Sequence, residues 1–70
     1  MAKASMIYVI CHSWPRQDGY SVMPQCYRKR KDAAKAAAYY ARLDDGVVLE
    51  SETQVAGTKH GYAVKAIELT

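Results

Sequence analysis

Residues 31–43 read KDAAKAAAYYARL, which is the strongest helix signal in the chain. Alanine is the strongest helix former, and the alanines recur at the spacing that lines one helix face. Asp32 lies in the first turn, where the helix dipole favours an acid, and Gly46 supplies a stop. The pattern predicts one helix from Lys31 to Leu43. The residues expected on its packed face are Ala34, Ala37, Ala38 and Ala41, flanked by Ala33 and Tyr40.

Two strands are predicted before the helix. Met6 to His12 is apolar and rich in β-branched and aromatic residues, which is typical of a central strand. Asp18-Gly19 is a turn signal, and the chain from Tyr20 to Tyr27 is expected to return as a second strand. Because Pro24 lacks an N–H donor, this second strand is predicted at a sheet edge with a bulge near Pro24.

The last third of the chain predicts a hairpin. Residues 47–52 alternate with period two, VAGTKHGY at 55–62 supplies a glycine-bearing turn, and Tyr62 to Leu69 forms the closing strand. The element order is therefore ββαββ. We expect a two-layer α+β fold, a four-stranded antiparallel sheet with one helix on one face.

Size and composition predict a single globular domain over residues 1–70. Half of the residues are apolar and 24% are charged, which is ordinary for a folded domain. The longest apolar run, MIYVIC, is too short to span a membrane, and no signal peptide pattern is present, so a cytoplasmic protein without a membrane partner is expected. Cys11 and Cys26 are expected to be free thiols in a reducing compartment.

Neither catalysis nor metal binding is indicated by a motif. The glycines are isolated at turns, and no nucleotide-binding or hydrolase signature occurs, so we expect a non-enzymatic protein with no catalytic residues and no cofactor. Cys11 and His12 are consecutive on a strand and therefore point to opposite faces. Two cysteines and two histidines match the composition of a zinc site, but their spacing does not, and no metal site is predicted.

A basic run is the strongest candidate for partner binding. Arg28 to Lys31 are four consecutive cations where the helix begins, with Lys35 one turn further on. With Tyr27, Tyr39 or Trp14 as a stacking platform, the run could bind phosphates or an acidic protein surface. The alternative is a solvated helix entrance that keeps a small domain soluble. Trp14 followed by proline is also typical of an interface anchor.

One face of the predicted sheet has no layer to cover it. Ile7, Val9 and Val48 cannot all point at one short helix, and an uncovered apolar face is typical of an interaction surface. The sequence therefore leaves a partner protein or a homodimer open.

The strand pair, the KDAAKAAAYYA helix and the segment VVLESETQV…GYAVKAIEL together resemble very small accessory proteins of bacteriophages and mobile elements. In size and architecture the chain is similar to some anti-CRISPR proteins. The resemblance implies a non-enzymatic inhibitor that occludes a host protein or ribonucleoprotein surface in the host cytoplasm, with positive charge where that surface would otherwise meet nucleic acid.

A second hypothesis is a small DNA- or RNA-binding regulator whose basic helix entrance contacts phosphates. The arrangement of charge separates the two. A phosphate binder is expected to gather Lys3, Lys59 and Lys65 with the basic run. A protein inhibitor is expected to place an apolar centre around Trp14 with charges at its rim.

Overall fold

The computed structural model describes residues 5–17, 19–54 and 57–69. The elements are β1 (Ser5–Ser13), β2 (Ser21–Tyr27), α1 (Arg30–Leu43), β3 (Val47–Val48) and β4 (Gly61–Leu69). The four strands form one sheet in the order β2-β1-β4-β3, and the helix packs against one face of it. The predicted α+β class is thereby confirmed. The predicted turn at Asp18-Gly19 includes a residue, Asp18, outside the described ranges.

β1 is a central strand and β2 is an edge strand, as predicted. β1 runs antiparallel to both β2 and β4. Val9 pairs with Cys26 and Cys11 pairs with Val22, so three residues of β2 lie opposite one residue of β1. This bulge contains Pro24, and its position follows from the missing N–H donor of proline.

The sheet is mixed, so the predicted antiparallel hairpin at the end of the chain is wrong. β3 has only two residues, and it pairs in parallel with β4. After β3, the side chain of Gln54 accepts a hydrogen bond from the Glu50 N–H, and the hydroxyls of Ser51 and Thr53 bond to each other. Such local bonds compete with a strand ladder. Residues 55 and 56 of the predicted turn lie outside the described ranges.

The predicted packed face of the helix is correct for Ala37 and Ala41 but wrong for its other two alanines. Ala34 and Ala38 are exposed, and Tyr39 exposes 56% of its surface. Alanines surround this helix, so their spacing does not single out one face. The observed face agrees with the packing of Tyr40, which lies against the core. The buried helix residues are Ala33, Ala37 and Ala41.

The helix ends in a Schellman motif that does not use glycine in the usual place. The Asp45 N–H bonds to the Arg42 carbonyl, and the Gly46 N–H bonds to the Ala41 carbonyl. Asp45 takes the left-handed conformation with φ 54°. Gly46 has another role, because a Cβ there would lie 2.5 Å from the His60 carbonyl oxygen. Gly46 therefore lets the turn after α1 lie directly against His60.

The sheet face away from the helix is partly covered by the chain itself. Leu49, which follows β3 on this face, exposes only 7% of its surface. Tyr20 also reaches this face, where Lys65 donates a 3.0 Å hydrogen bond to its hydroxyl. Val48 lies on the helix side instead. Of the residues behind the predicted self-association, Val9 is thus buried, Ile7 is half-buried and Val48 is exposed. The fully covered residues of this face are Val9, Cys11 and Ala63.

Candidate functional site

The predicted basic run lies exposed where α1 begins. We call Arg28, Lys29, Arg30 and Lys31 the basic end; all four are exposed, and so is Lys35 one turn along the helix. Lys29 is the N-cap residue and makes no side-chain cap hydrogen bond, because an ammonium group has no acceptor. The positive end of the helix dipole therefore faces four cations, with Asp32 as the acid in the first turn.

The aromatic ring beside the basic end is Tyr8. The Arg30 guanidinium lies 5.2 Å from the centre of the Tyr8 ring, a cation–π distance. Tyr27, predicted as a stacking platform, is half-buried against the core and donates a 2.9 Å hydrogen bond to Gln25. The face of Tyr8 is thus already occupied by Arg30, and Tyr27 belongs to the packing of the domain.

A cleft of about 480 Å³ adjoins the basic end. Met6 and Leu69 in its wall expose 40% and 47% of their surfaces. Arg28 of the basic end therefore lies directly beside accessible apolar groups. The lining residues are Ser5, Met6, Ile7, Arg28 and Leu69.

The other predicted contact residues do not join the basic end. Lys59 is exposed just before β4, at the opposite end of the sheet, where Trp14 exposes 46% of its surface. α1 has 14 residues and separates the two ends by about 20 Å. Lys65 lies on the sheet face away from the helix, and its hydrogen bond to Tyr20 raises the pKa of the Lys65 ammonium. Lys3 lies outside the described ranges.

A cluster that was not predicted lies at the far end of α1. His12 and His60 are 48 positions apart in sequence, yet His12 Nε2 lies 2.8 Å from His60 Nδ1. Asp44, the C-cap of α1, lies beside them. One ligand atom from each residue lies within 4.8 Å of the other two. We call His12, Asp44 and His60 the histidine cluster.

Aromatic side chains surround the histidine cluster. The Tyr62 ring stacks parallel on His12 with centroids 4.5 Å apart, and the Tyr62 hydroxyl donates to the Asp44 carboxylate. The Trp14 ring lies 4.5 Å from His12 and 5.4 Å from His60. One part of the Trp14 ring therefore packs against the cluster, and the rest of its surface is exposed at this end of the sheet.

Burial shifts the pKa values of His12 and of the neighbouring Tyr62. Desolvation, with the neighbouring His60, lowers the pKa of His12 and favours its neutral form. Desolvation and the hydrogen bond with Asp44 raise the pKa of Tyr62, so the phenol stays protonated and donates to the carboxylate. The cluster thus presents neutral imidazole to an acid that is already oriented by a hydrogen bond.

The two cysteines do not belong to this cluster. Cys11 is buried on the sheet face opposite His12, as strand alternation predicts, and its burial raises the pKa of the thiol. Cys26 is exposed on β2, and both cysteines are free. Cys11 and His12 therefore do not form a thiolate–imidazole pair.

Sequence motifs missed the histidine cluster because its members are far apart along the chain. The signal that could have found it was the pairing of β1 with β4, since His12 lies near the end of β1 and His60 immediately precedes β4.

Among the residues that the structure describes, no helix is long and apolar enough to cross a bilayer. No protein-family model, curated protein or solved structure matches the chain.

Proposed function

We propose that this chain is a small non-enzymatic binding protein that covers part of the surface of a larger host protein or ribonucleoprotein. Phage-encoded inhibitors of the anti-CRISPR type, which the sequence resembles, act in this way. The contact surface in this proposal is the basic end together with the adjoining cleft. The matching partner surface is acidic and offers an apolar group to Met6 and Leu69.

The observation that carries the proposal is that Arg28, the first of four consecutive exposed cations, lines a cleft whose wall also exposes Met6 and Leu69. Protein interfaces combine an apolar centre with a polar rim in this way. The free chain also has a local disadvantage here. Each exposed cation at the positive end of a helix reduces folding stability by about a few tenths of a kcal/mol. In addition, the N-cap residue Lys29 makes no side-chain hydrogen bond to the first turn. Acidic groups of a partner would offset the repulsion of these cations and could accept the hydrogen bond that Lys29 cannot.

A small nucleic-acid-binding regulator is the second candidate. The basic end has four contiguous cations, and Lys35 is exposed one turn further along α1. This arrangement favours contact with phosphates. Against it, Lys59 and Lys65 lie elsewhere on the molecule, and Arg30 occupies the Tyr8 face that a base would need for stacking. Trp14, the apolar centre expected of a protein inhibitor, lies at the other end of α1, and the accessible apolar groups beside Arg28 are Met6 and Leu69 instead. These apolar groups favour the protein partner over nucleic acid.

The experiment is capture from bacterial lysate on the immobilised chain, with and without nuclease treatment. Its test variant carries Arg28→Gln, Lys29→Gln and Arg30→Gln, which remove three charges from the basic end. The matched control carries Arg16→Gln, Arg42→Gln and Lys59→Gln, which remove three exposed charges elsewhere. We expect a protein that is retained after nuclease treatment, lost with the test variant and kept by the control.

Two other outcomes discriminate against the proposal. Captured material that disappears after nuclease treatment would instead support the nucleic-acid regulator. Equal capture by the test variant and the wild-type chain would remove the basic end as the contact surface, whichever partner is captured.

A further inference from the structure

We infer that the histidine cluster is a binding site for one divalent late transition ion of the Zn²⁺ class. Its donors are one ring nitrogen each from His12 and His60 and a carboxylate oxygen from Asp44. The inference is independent of the proposed function, because the cluster and the basic end lie at opposite ends of α1.

The donor set matches this class of metal. Imidazole suits zinc, copper, iron and nickel, whereas calcium and magnesium prefer sites made of oxygen alone. Two imidazoles and a carboxylate form a well-known open zinc site, with a water molecule as the fourth ligand. A metal bonded at about 2.1 Å to tetrahedral ligands separates those ligands by about 3.4 Å. The 4.8 Å limit within which all three donor atoms lie requires only small side-chain rotations to reach that geometry.

The 2.8 Å contact between the two histidines is compatible with metal binding. In the free chain one ring nitrogen must donate a hydrogen to the other, because two bare acceptors would repel. To bind a metal, the donating imidazole changes tautomer, which moves its hydrogen to the other ring nitrogen. Small rotations of the two rings then turn both lone pairs from each other towards a shared ion beside Asp44, with no net loss of a proton from the pair.

The surroundings of the donors hold them in place. The Tyr62 hydroxyl bonds to Asp44, which is the kind of outer contact that orients a ligand carboxylate. The His60 carbonyl accepts a 2.9 Å hydrogen bond from the Val47 N–H, so its backbone is fixed against the turn that carries Asp44. Trp14 packs against both imidazoles and shields one side of the site.

A metal here would tie together three distant parts of the chain. His12 lies in β1, Asp44 caps α1 and His60 leads into β4. The unfolded chain does not hold these three donors together, so an ion bound at the cluster favours the folded state by mass action. Metal binding is therefore expected to appear directly in thermal unfolding.

The test uses the full chain without a histidine tag, freed of metal with a chelator and then titrated with Zn²⁺. We expect one ion per chain by calorimetry. At a free Zn²⁺ concentration about 100 times the dissociation constant, the melting temperature should rise by at least about 10 °C. Mg²⁺ is the control for a non-specific cation effect and should leave the melting temperature unchanged.

Matched variants separate this site from any other. Asp44→Asn and His60→Gln should abolish the Zn²⁺-dependent rise, and Tyr62→Phe should weaken binding about tenfold by freeing Asp44. Asp45→Asn changes the neighbouring acid, and Cys26→Ser removes the exposed thiol; both should keep the rise. Circular dichroism confirms that each variant is folded.

The wild-type chain also provides a spectroscopic test that no variant can confound. Bound Co²⁺ should give visible absorption of a nitrogen and oxygen site without a thiolate charge-transfer band. No Zn²⁺ effect on wild-type melting, binding that survives both Asp44→Asn and His60→Gln, or a thiolate band with Co²⁺ would each overturn the inference.

Discussion

The two ends of helix α1 differ in how many of their polar and charged groups are hydrogen-bonded or packed within the chain. At the N-terminal end, four adjacent cations are exposed and the cap residue Lys29 makes no cap bond. At the C-terminal end, the Schellman motif, the Gly46 approach to His60 and the Tyr62 bond to Asp44 leave a closely packed corner. The difference indicates that the contacts at the C-terminal end stabilise the fold, whereas the basic end, in the function proposed above, is the surface that a partner covers.

The largest effect on stability is expected for Gly46→Ala. Its Cβ would lie 2.5 Å from the His60 carbonyl oxygen, which is backbone and cannot move aside alone. We expect a loss of about 3 kcal/mol in unfolding free energy, measured by urea denaturation. Gly19→Ala is the matched control, because its Cβ meets nothing within 4 Å and only the positive φ opposes it. That variant should lose about 1 kcal/mol. Equal losses would mean that the contact with His60 is not tight.

A smaller effect is expected for Tyr62→Phe, which keeps the ring stacked on His12 and removes the hydroxyl. The lost bond to the Asp44 carboxylate should reduce the unfolding free energy by about 1.5 kcal/mol, since the acceptor is charged. Tyr39→Phe removes a hydroxyl from a residue that is 56% exposed and should leave stability unchanged. If the two variants melt at the same temperature, the C-terminal end of α1 is less organised than its contacts indicate.

At the basic end, the Lys29→Ser substitution should increase stability. Lys29 has the extended backbone of an N-cap, with φ −118° and ψ 135°, but its side chain cannot accept a bond from the helix. A serine hydroxyl at this position can, and we expect a gain of about 1 kcal/mol. Lys29→Gln removes the same charge without providing a capping hydroxyl and serves as the control. A stabilised variant that binds the partner less tightly would show that Lys29 serves binding at the expense of folding.

The smallest stability effect is expected for the triple variant with Arg28→Gln, Lys29→Gln and Arg30→Gln. Removing each cation from the positive end of the helix should stabilise the fold by roughly a few tenths of a kcal/mol. Losing the Arg30 contact with Tyr8 costs about 0.5 kcal/mol. The two effects oppose each other, so thermal melting should change by no more than the equivalent of about 0.5 kcal/mol. A large loss would show that the basic end is structural.

The sequence predicted the elements whose signals are local. The β1 strand, the edge position of Pro24 and the helix over residues 31–43 each follow from neighbouring residues, and the structure confirms them. The basic end was also visible, because its four members are consecutive. The packed face of the helix was predicted only in part, because alanines lie on all sides of the helix and contact with the sheet determines which of them are buried.

The remaining features depend on contacts between distant parts of the chain. The alternation of residues 47–52 predicted a strand, but the side-chain bonds of Gln54, Ser51 and Thr53 hold that segment in turns. The histidine cluster needs the register of β1 with β4 and the exact end of the helix, which no local pattern contains. Without that register, the sequence spacing of the two histidines predicts no metal site.

The central claim, that the basic end forms the partner surface, is tested most directly by the salt dependence of partner binding. The dissociation constant of the captured partner would be measured at increasing salt for the wild-type chain and for the triple glutamine variant. We expect wild-type affinity to fall steeply as salt screens charges over about 8 Å at physiological ionic strength, and the variant to bind weakly with little salt dependence. Equal affinity and an equal salt slope for the two chains would contradict the account.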